Sequence, residues 1–317
     1  MKSLIVINGK TMGTTYSVKI VDNIKTEVIP SLIQSKIDSV MLSINQQMST
    51  YIPNSEISIF NQSEIHRIYP SNEFIEVLKY SKKLSDISNG SFDITVGPLV
   101  QLWGFTRLNE DWFPPSGDKI APLLKIIGNV NWSIESDELI KLNSKVQLDV
   151  NAVAKGFGVD AVSELISSLG YKNFMVEIGG EVYCAGWNEN KEDWSIGIES
   201  PDFDSRSLIK IVSISDKAMA TSGDYRNYFS HNGEIYSHTI NPKNGIPIKH
   251  SLASATVISS TCMDADGIAT TLLVMGTRKA LAFTENISGV ECFLIERTQD
   301  GEFRTFMSSG FDQYITD

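Results

Sequence analysis

From Phe174 to Ile240 the chain strings together one short strand after another, and that succession restricts its fold more than any other feature. The segments are Phe174 to Ile178, Val182 to Ala185, Trp194 to Glu199, Leu208 to Ile214 and Ile235 to Ile240. Helical patterns stand on either side. One runs from about Ala152 to Leu169, with Val153, Phe157, Ala161, Leu165 and Leu169 as its inward stripe and Gly170 as its end. The other runs from about Asp264 to Met275 and stops at Gly276, before closing strands at Glu291 to Ile295 and Arg304 to Met307. Strands that follow one another in runs predict an α+β fold with largely antiparallel sheets and flanking helices, not a doubly wound one.

The first half is more helical. Thr11 to Val21 reads as a strand paired with Leu4 to Ile7. Pro30 opens a helix whose Ile33, Ile37, Val40, Met41, Ile44 and Met48 recur at three- and four-residue steps. Asn72 is placed to cap a second helix with Phe74, Val77, Leu78 and Leu84 inward, closed by Asn89-Gly90. Leu102 to Pro122 is the irregular stretch, a lobe boundary or a binding loop. The expectation is one domain over residues 4–312, built of two packed lobes that meet near 102–122.

Composition removes several function classes. The chain has 317 residues, 27 of them basic and 38 acidic, for a net charge of −11. Such a surface repels nucleic acid and anionic lipid, although a local basic pocket remains compatible with it. Cys184, Cys262 and Cys292 lie far apart with no CxxC pair, as expected of buried small hydrophobes rather than a zinc site or disulfide framework. No apolar run reaches the roughly 18 to 20 residues of a spanning helix. Leu4 to Ile7 is too short for a signal-peptide core, which leaves a cytoplasmic protein or one whose leader is absent from this chain.

Chemistry concentrates in a few segments. Asp266 and Thr270 are four apart on a helix, so a carboxylate and a hydroxyl share one face as a hard-cation pair, unless Asp264 or Asp266 simply satisfies free N–H groups at the helix start. Val146 to Val150 reads as a strand leading directly into a helix whose first turns carry Lys155, Gly156 and Gly158. A cation there opposes the helix dipole and wants an anionic partner such as phosphate, unless it simply reaches into water. Glu177-Ile178-Gly179-Gly180-Glu181 suits a hairpin turn; Ala220 to Arg226 and His238 to Gly245 each read as strand plus turn. His238 is the residue best suited to proton transfer near neutral pH.

Taken in order, several segments resemble the ApbE family of FAD:protein FMN transferases. They are Met12-Gly13-Thr14-Thr15-Tyr16, Met48-Ser49-Thr50-Tyr51 with Ser55-Glu56-Ile57-Ser58, Gly90 to Leu99, and Trp103-Gly104-Phe105. Asp149 to Gly158, Glu177 to Glu181, Ala220 to Tyr225, His238 to Pro247 and Asp264 to Thr271 complete the set. The resemblance implies a two-lobed fold with the flavin site between the lobes. It implies FAD as substrate, lying against Met12, Tyr51, Ser91, Phe92, Asp93, Asp149, Lys155, Glu177 and Ile240. It also implies Mg²⁺ (or Mn²⁺) held by the Ala152 carbonyl and the side chains of Asp266 and Thr270. Lys155 would then stabilise charge on the pyrophosphate, and His238 or Asp266 would take the proton of a client threonine or serine as FMN is attached and AMP leaves.

Two rival activities share this scaffold: an FAD pyrophosphatase using water, and a non-catalytic flavin-binding protein. Tyr51, a bulky aromatic against the flavin, leans towards transfer. The family's usual Asp before the proline is Asn241 here, which questions any charged role at that spot. Family members are commonly exported or lipid-anchored, so a periplasmic or inner-membrane-anchored enzyme is expected, with a cytoplasmic form as the alternative. Its clients would be subunits of membrane redox complexes.

Overall fold

Residues 3–22, 29–62, 64–105, 112–202, 207–224, 228–231 and 234–316 are described in a computed structural model. Their centre is an eight-stranded sheet. Its strands are β1 (Ser3–Thr11), β2 (Thr14–Asp22), β3 (Phe174–Ile178), β4 (Glu181–Ala185), β5 (Lys217–Gly223), β6 (Leu252–Ser259), β7 (Glu291–Arg297) and β8 (Phe303–Met307). Spatial order equals chain order, and every neighbouring pair is antiparallel. The sheet is therefore a meander into which other elements are inserted, the outcome that consecutive strands predict.

The largest insertion joins β2 to β3 and carries helices α1 (Pro30–Met48), α2 (Asn72–Ile87) and α3 (Asn151–Ser168). Helix α4 (Cys262–Met275) lies between β6 and β7. These helices cover one face of the sheet, and their joint core runs from Ile7 to Leu294. On the opposite face Met175, Val182, Cys184, Met219, Phe293 and Ile295 pack beneath a hairpin of Trp194–Glu199 and Leu208–Ile214. All three cysteines are buried and free. No described helix is long and apolar enough to cross a membrane.

The α1 stripe is buried as its spacing predicts, with Val40 partly so. Three local expectations fail. Helix α2 begins after Ser71 rather than at an Asn72 cap, and the Ser71 N–H and hydroxyl both donate to Glu56 Oε2, at 2.8 and 3.2 Å. Val146 to Val150 is not a sheet strand. The Asn61 side-chain amide takes the place of a neighbouring strand, accepting from Leu148 N and donating to Leu148 O, both at 2.8 Å. The α3 stripe is also displaced: Val162 and Ile166 are buried where Ala161 is only partly so and Leu169 is 38% exposed. Packing against both α1 and α4 buries Val153 to Val159 nearly all round, so no single stripe describes that half.

Within Leu102 to Pro122, Gly117–Leu124 is a helix that contains Pro122, while residues 106–111 lie outside the described set, as do Tyr225 and Arg226. Beside that helix a satellite core gathers Leu99, Trp103, Ile120, Tyr236 and Ile240. Trp103 Nε1 donates to Gly245 O at 2.7 Å, and Trp112 Nε1 donates to Trp103 O at 2.6 Å.

Candidate active site

Helices α3 and α4 meet at a glycine. A Cβ on Gly156 would lie 2.3 Å from the Cys262 carbonyl oxygen and 2.8 Å from Asp266 Cβ, so only glycine permits this approach. Each helix then offers a carboxylate to backbone amides of the other. Asp266 Oδ2 accepts from Gly156 N at 3.0 Å, and Asp160 accepts from Cys262 N and Met263 N at 2.7 and 2.8 Å. Thr261 caps α4 by accepting from Asp264 N. The helix-start duty that sequence alone allowed for Asp264 or Asp266 therefore falls elsewhere, leaving Asp266 as a carboxylate only 4% exposed.

Its surroundings are charged. Lys155 forms an ion pair with Glu181 Oε1; the lysine side chain is 31% exposed and the glutamate 3%. Burial would lower the Lys155 pKa, but the charges of Asp266 and Glu181 override it and hold the ammonium above its ordinary value. Asp266 is pushed up to about 7, first by burial and further by the Glu181 charge, against the opposing pull of Lys155. Burial likewise raises Asp160 to about 6 against its two backbone hydrogen bonds. One turn along α4, Thr270 Oγ1 lies 3.0 Å from Ser222 Oγ on β5.

The oxygens of this corner suit a hard cation. In a regular helix the Gly156 amide serves the Ala152 carbonyl, and that amide also reaches Asp266. The carbonyl and the carboxylate thus converge on one N–H, with the Thr270 hydroxyl a turn away. One carboxylate, one hydroxyl and one carbonyl form an oxygen-only set of the kind Mg²⁺ takes while keeping waters. Among the described residues no three His, Cys, Asp or Glu side chains cluster as a metal site.

Most of the remaining expected residues surround this corner. Met12 and Gly13 form the β1–β2 turn with φ of 49° and 71°, the pairing of positive angles that a two-residue type I′ turn requires. A Cβ on Gly158 would lie 3.5 Å from Met12 Cε, and one on Gly179 would lie 3.4 Å from Lys155 Cδ. Met12, Lys155 and the Glu177–Glu181 turn are therefore neighbours. Glu177 Oε1 accepts from Gly180 N at 2.7 Å.

Ser91, Phe92 and Asp93 are buried in the turn after Gly90. Asp93 Oδ1 accepts from the Thr95 amide and hydroxyl at 2.8 and 2.6 Å, and burial raises its pKa. Asp149 donates its amide to Ile94 O at 2.6 Å and accepts from Asn151 N at 2.9 Å. This ties the Ser91 turn to the start of α3, and burial raises the Asp149 pKa too. Tyr51 is 75% exposed.

His238 and Ile240 come from the aromatic lobe. Ile240 is part of its core, and the His238 ring stands edge-on to Phe105 at 6.5 Å. Asn241 Oδ1 accepts from Lys243 N at 3.0 Å. That turn bond needs an acceptor and no charge, which asparagine supplies. Glu181 and Asp160 were not anticipated as site residues. The available signals were a carboxylate directly after a Gly-Gly turn, and an acid inside the apolar run Phe157 to Val162.

Comparison with known proteins agrees with this fold. A model of the ApbE family matches residues 12–294. An FAD:protein FMN transferase of Vibrio cholerae is 39% identical over 311 residues, covering 98% of this chain and 92% of the relative. One from Haemophilus influenzae is 39% identical over 315 residues, covering 97% and 90%. The solved flavin transferase ApbE from Vibrio cholerae superposes with a TM-score of 0.89 at 37% identity, over 99% of this chain and 100% of the other. The apo flavinyl transferase ApbE of Pseudomonas stutzeri gives 0.88 at 33% identity, over 99% and 97%.

Proposed function

This chain belongs to the ApbE family, and from that premise we propose that it is an FAD:protein FMN transferase that attaches FMN through a phosphoester to a threonine or serine of a client protein. The observation that carries the reading is the α3–α4 corner, where Lys155 stands in the first turns of α3 and Asp266 accepts the amide of the next residue, Gly156, with Thr270 one turn further along α4. Anionic phosphates bind such helix starts.

The client hydroxyl attacks the FMN phosphorus, the P–O bond to the AMP phosphate breaks, and AMP leaves with the bonding pair. Negative charge grows on that leaving phosphate, and the Lys155 ammonium stabilises it from the rim of the corner. The Ala152 carbonyl, Asp266 and Thr270 would hold Mg²⁺ or Mn²⁺, which when bound neutralises further phosphoanhydride charge. His238 receives the hydroxyl proton. Asp266 is the weaker base candidate, because its carboxylate is enclosed and already accepts the Gly156 amide.

FAD lies along Met12, Ser91, Phe92, Asp93, Asp149, Glu177 and Ile240. Tyr51, which projects from the surface, is free to cover the flavin and keep water from the phosphorus. Three finer parts rest on the family resemblance alone: the Mg²⁺ requirement, a client within a membrane redox complex, and action in the periplasm.

The test is incubation with FAD, Mg²⁺ and a threonine-containing client domain, read by intact mass and nucleotide analysis. The expected result is a client gaining an FMN phosphoester as AMP appears, with the rate cut by about 10³-fold in Asp266→Ala. FMN and AMP free in solution beside an unmodified client would instead establish a pyrophosphatase, provided a proven transferase modifies that client. Intact bound FAD would establish a binding protein.

A further inference from the structure

Glu181 is the one charged residue among the four described residues, with Gln47, Trp132 and Ser254, that keep a buried side-chain polar atom without a partner. It is 2% exposed, one oxygen pairs with Lys155, and its Oε2 has no hydrogen-bond partner. A buried ion pair kept only for stability is expected to satisfy all its atoms, because an enclosed carboxylate oxygen without a partner is costly. The count of charges nearby is also uneven. Two carboxylates, Glu181 and Asp266, face one cation, Lys155. Lys155 directly precedes Gly156, whose amide holds Asp266, so its ammonium stands within the field of both acids. If it paired with Asp266, it would neutralise the one carboxylate of the oxygen set formed with Thr270 and the Ala152 carbonyl.

We infer that Glu181 is a positioning residue that holds the Lys155 ammonium away from Asp266 and so keeps Asp266 available to a divalent cation. This rests on the transferase reading of the corner, and it concerns how the two positive charges share the site. Glu181 anchors the fixed one, and Asp266 with Thr270 receives the exchangeable one. Both can then face the same pyrophosphate without competing for one carboxylate.

The probe is Mn²⁺ alone, titrated into the FAD-free protein and followed by the loss of its free-ion EPR signal, with circular dichroism confirming the fold of each variant. Glu181→Gln is expected to weaken Mn²⁺ binding by about tenfold or more, the scale seen when a supporting partner of a ligand is lost. Adding Lys155→Met to Glu181→Gln is expected to restore binding to near the wild-type value, because the competing ammonium is gone, although flavin transfer stays lost. Wild-type affinity in Glu181→Gln would overturn the inference. So would a double variant as weak as the single one, since Glu181 would then act on the cation through its own free oxygen. Failure of the wild type to bind Mn²⁺, with Asp266→Ala no different, would remove the cation reading itself and this inference with it.

Discussion

The α3–α4 corner and the aromatic lobe are built by opposite means. At the corner, backbone approaches backbone at Gly156, and a buried carboxylate of each helix accepts backbone amides of the other. In the lobe, rings do the joining between its segments: Trp103 on Tyr236 at 5.8 Å, Trp112 on Phe229 at 4.8 Å, and Phe105 on Phe229 at 4.8 Å. Tight backbone packing fixes charges to within a few tenths of an ångström, as phosphate chemistry demands. Stacked rings tolerate small shifts, which suits a surface carrying His238 towards a protein substrate. The difference separates the half that must not move from the half that can adjust.

The hardest test of that contrast is Gly156→Ala. Its methyl would strike the Cys262 carbonyl, and the expected loss is about 3 kcal/mol of stability by chemical denaturation, together with loss of transfer. Gly158→Ala, two residues along the same helix, is tight only against the flexible Met41 methyl at 3.2 Å, with Ile178 and Met12 in ordinary contact at 3.5 Å, and should shift stability by less than about 1 kcal/mol. Equal losses at the two positions would erase the idea of a uniquely tight corner.

His238→Ala probes the other half. Transfer should slow by about 10²-fold or more, while stability moves by under about 1 kcal/mol and Mn²⁺ affinity is unchanged. A drop in Mn²⁺ affinity would tie His238 to the corner instead of to the acceptor.

A smaller effect comes from pH. Asp266 must be ionised to hold a cation, and burial raises its pKa to about 7. Divalent affinity should therefore fall roughly tenfold for each pH unit below about 7 and level off above it. The unloaded protein should show the opposite sign. A folded pKa above the ordinary 3.8 means this group's contribution to stability is full below 3.8 and is lost as pH rises through about 7. Denaturation of the unloaded protein across that range, read as the difference between wild type and Asp266→Asn so that the raised pKa values of Asp160, Asp93 and Asp149 cancel, separates the two slopes.

Sequence periodicity reached some of these parts and not others. The α1 stripe and the positive-φ turns at Gly90 and Gly179 were legible because local chemistry determines them. Strand β6 was not: all eight of its residues are buried, four of them alanine or serine, so no alternation marks it. Val146 to Val150 looked like a strand because its alternate residues are buried. Its partner is the Asn61 side chain, 87 residues away in the chain, and no pattern announces that. The same limit applies to the site. The Asp266–Thr270 spacing is visible along one helix, whereas Glu181 and Asp160 gain their meaning only from the helix or strand packed against them.

The meander order of the sheet also sets a timetable. Strand β2 takes its second neighbour from β3, about 150 residues later in the chain. At a synthesis rate of about 5–20 residues per second, the β1–β2 hairpin waits roughly 10–30 s with a long open edge before its partner leaves the ribosome. For that interval Tyr16, Val18 and Ile20, among the most deeply buried side chains of the finished protein, have only helices α1 and α2 to pack against, and the β2 edge stays unpaired. The newborn chain is thus open to aggregation and chaperone capture at the β2 edge until β3 follows, an interval that ends before α4 has been made.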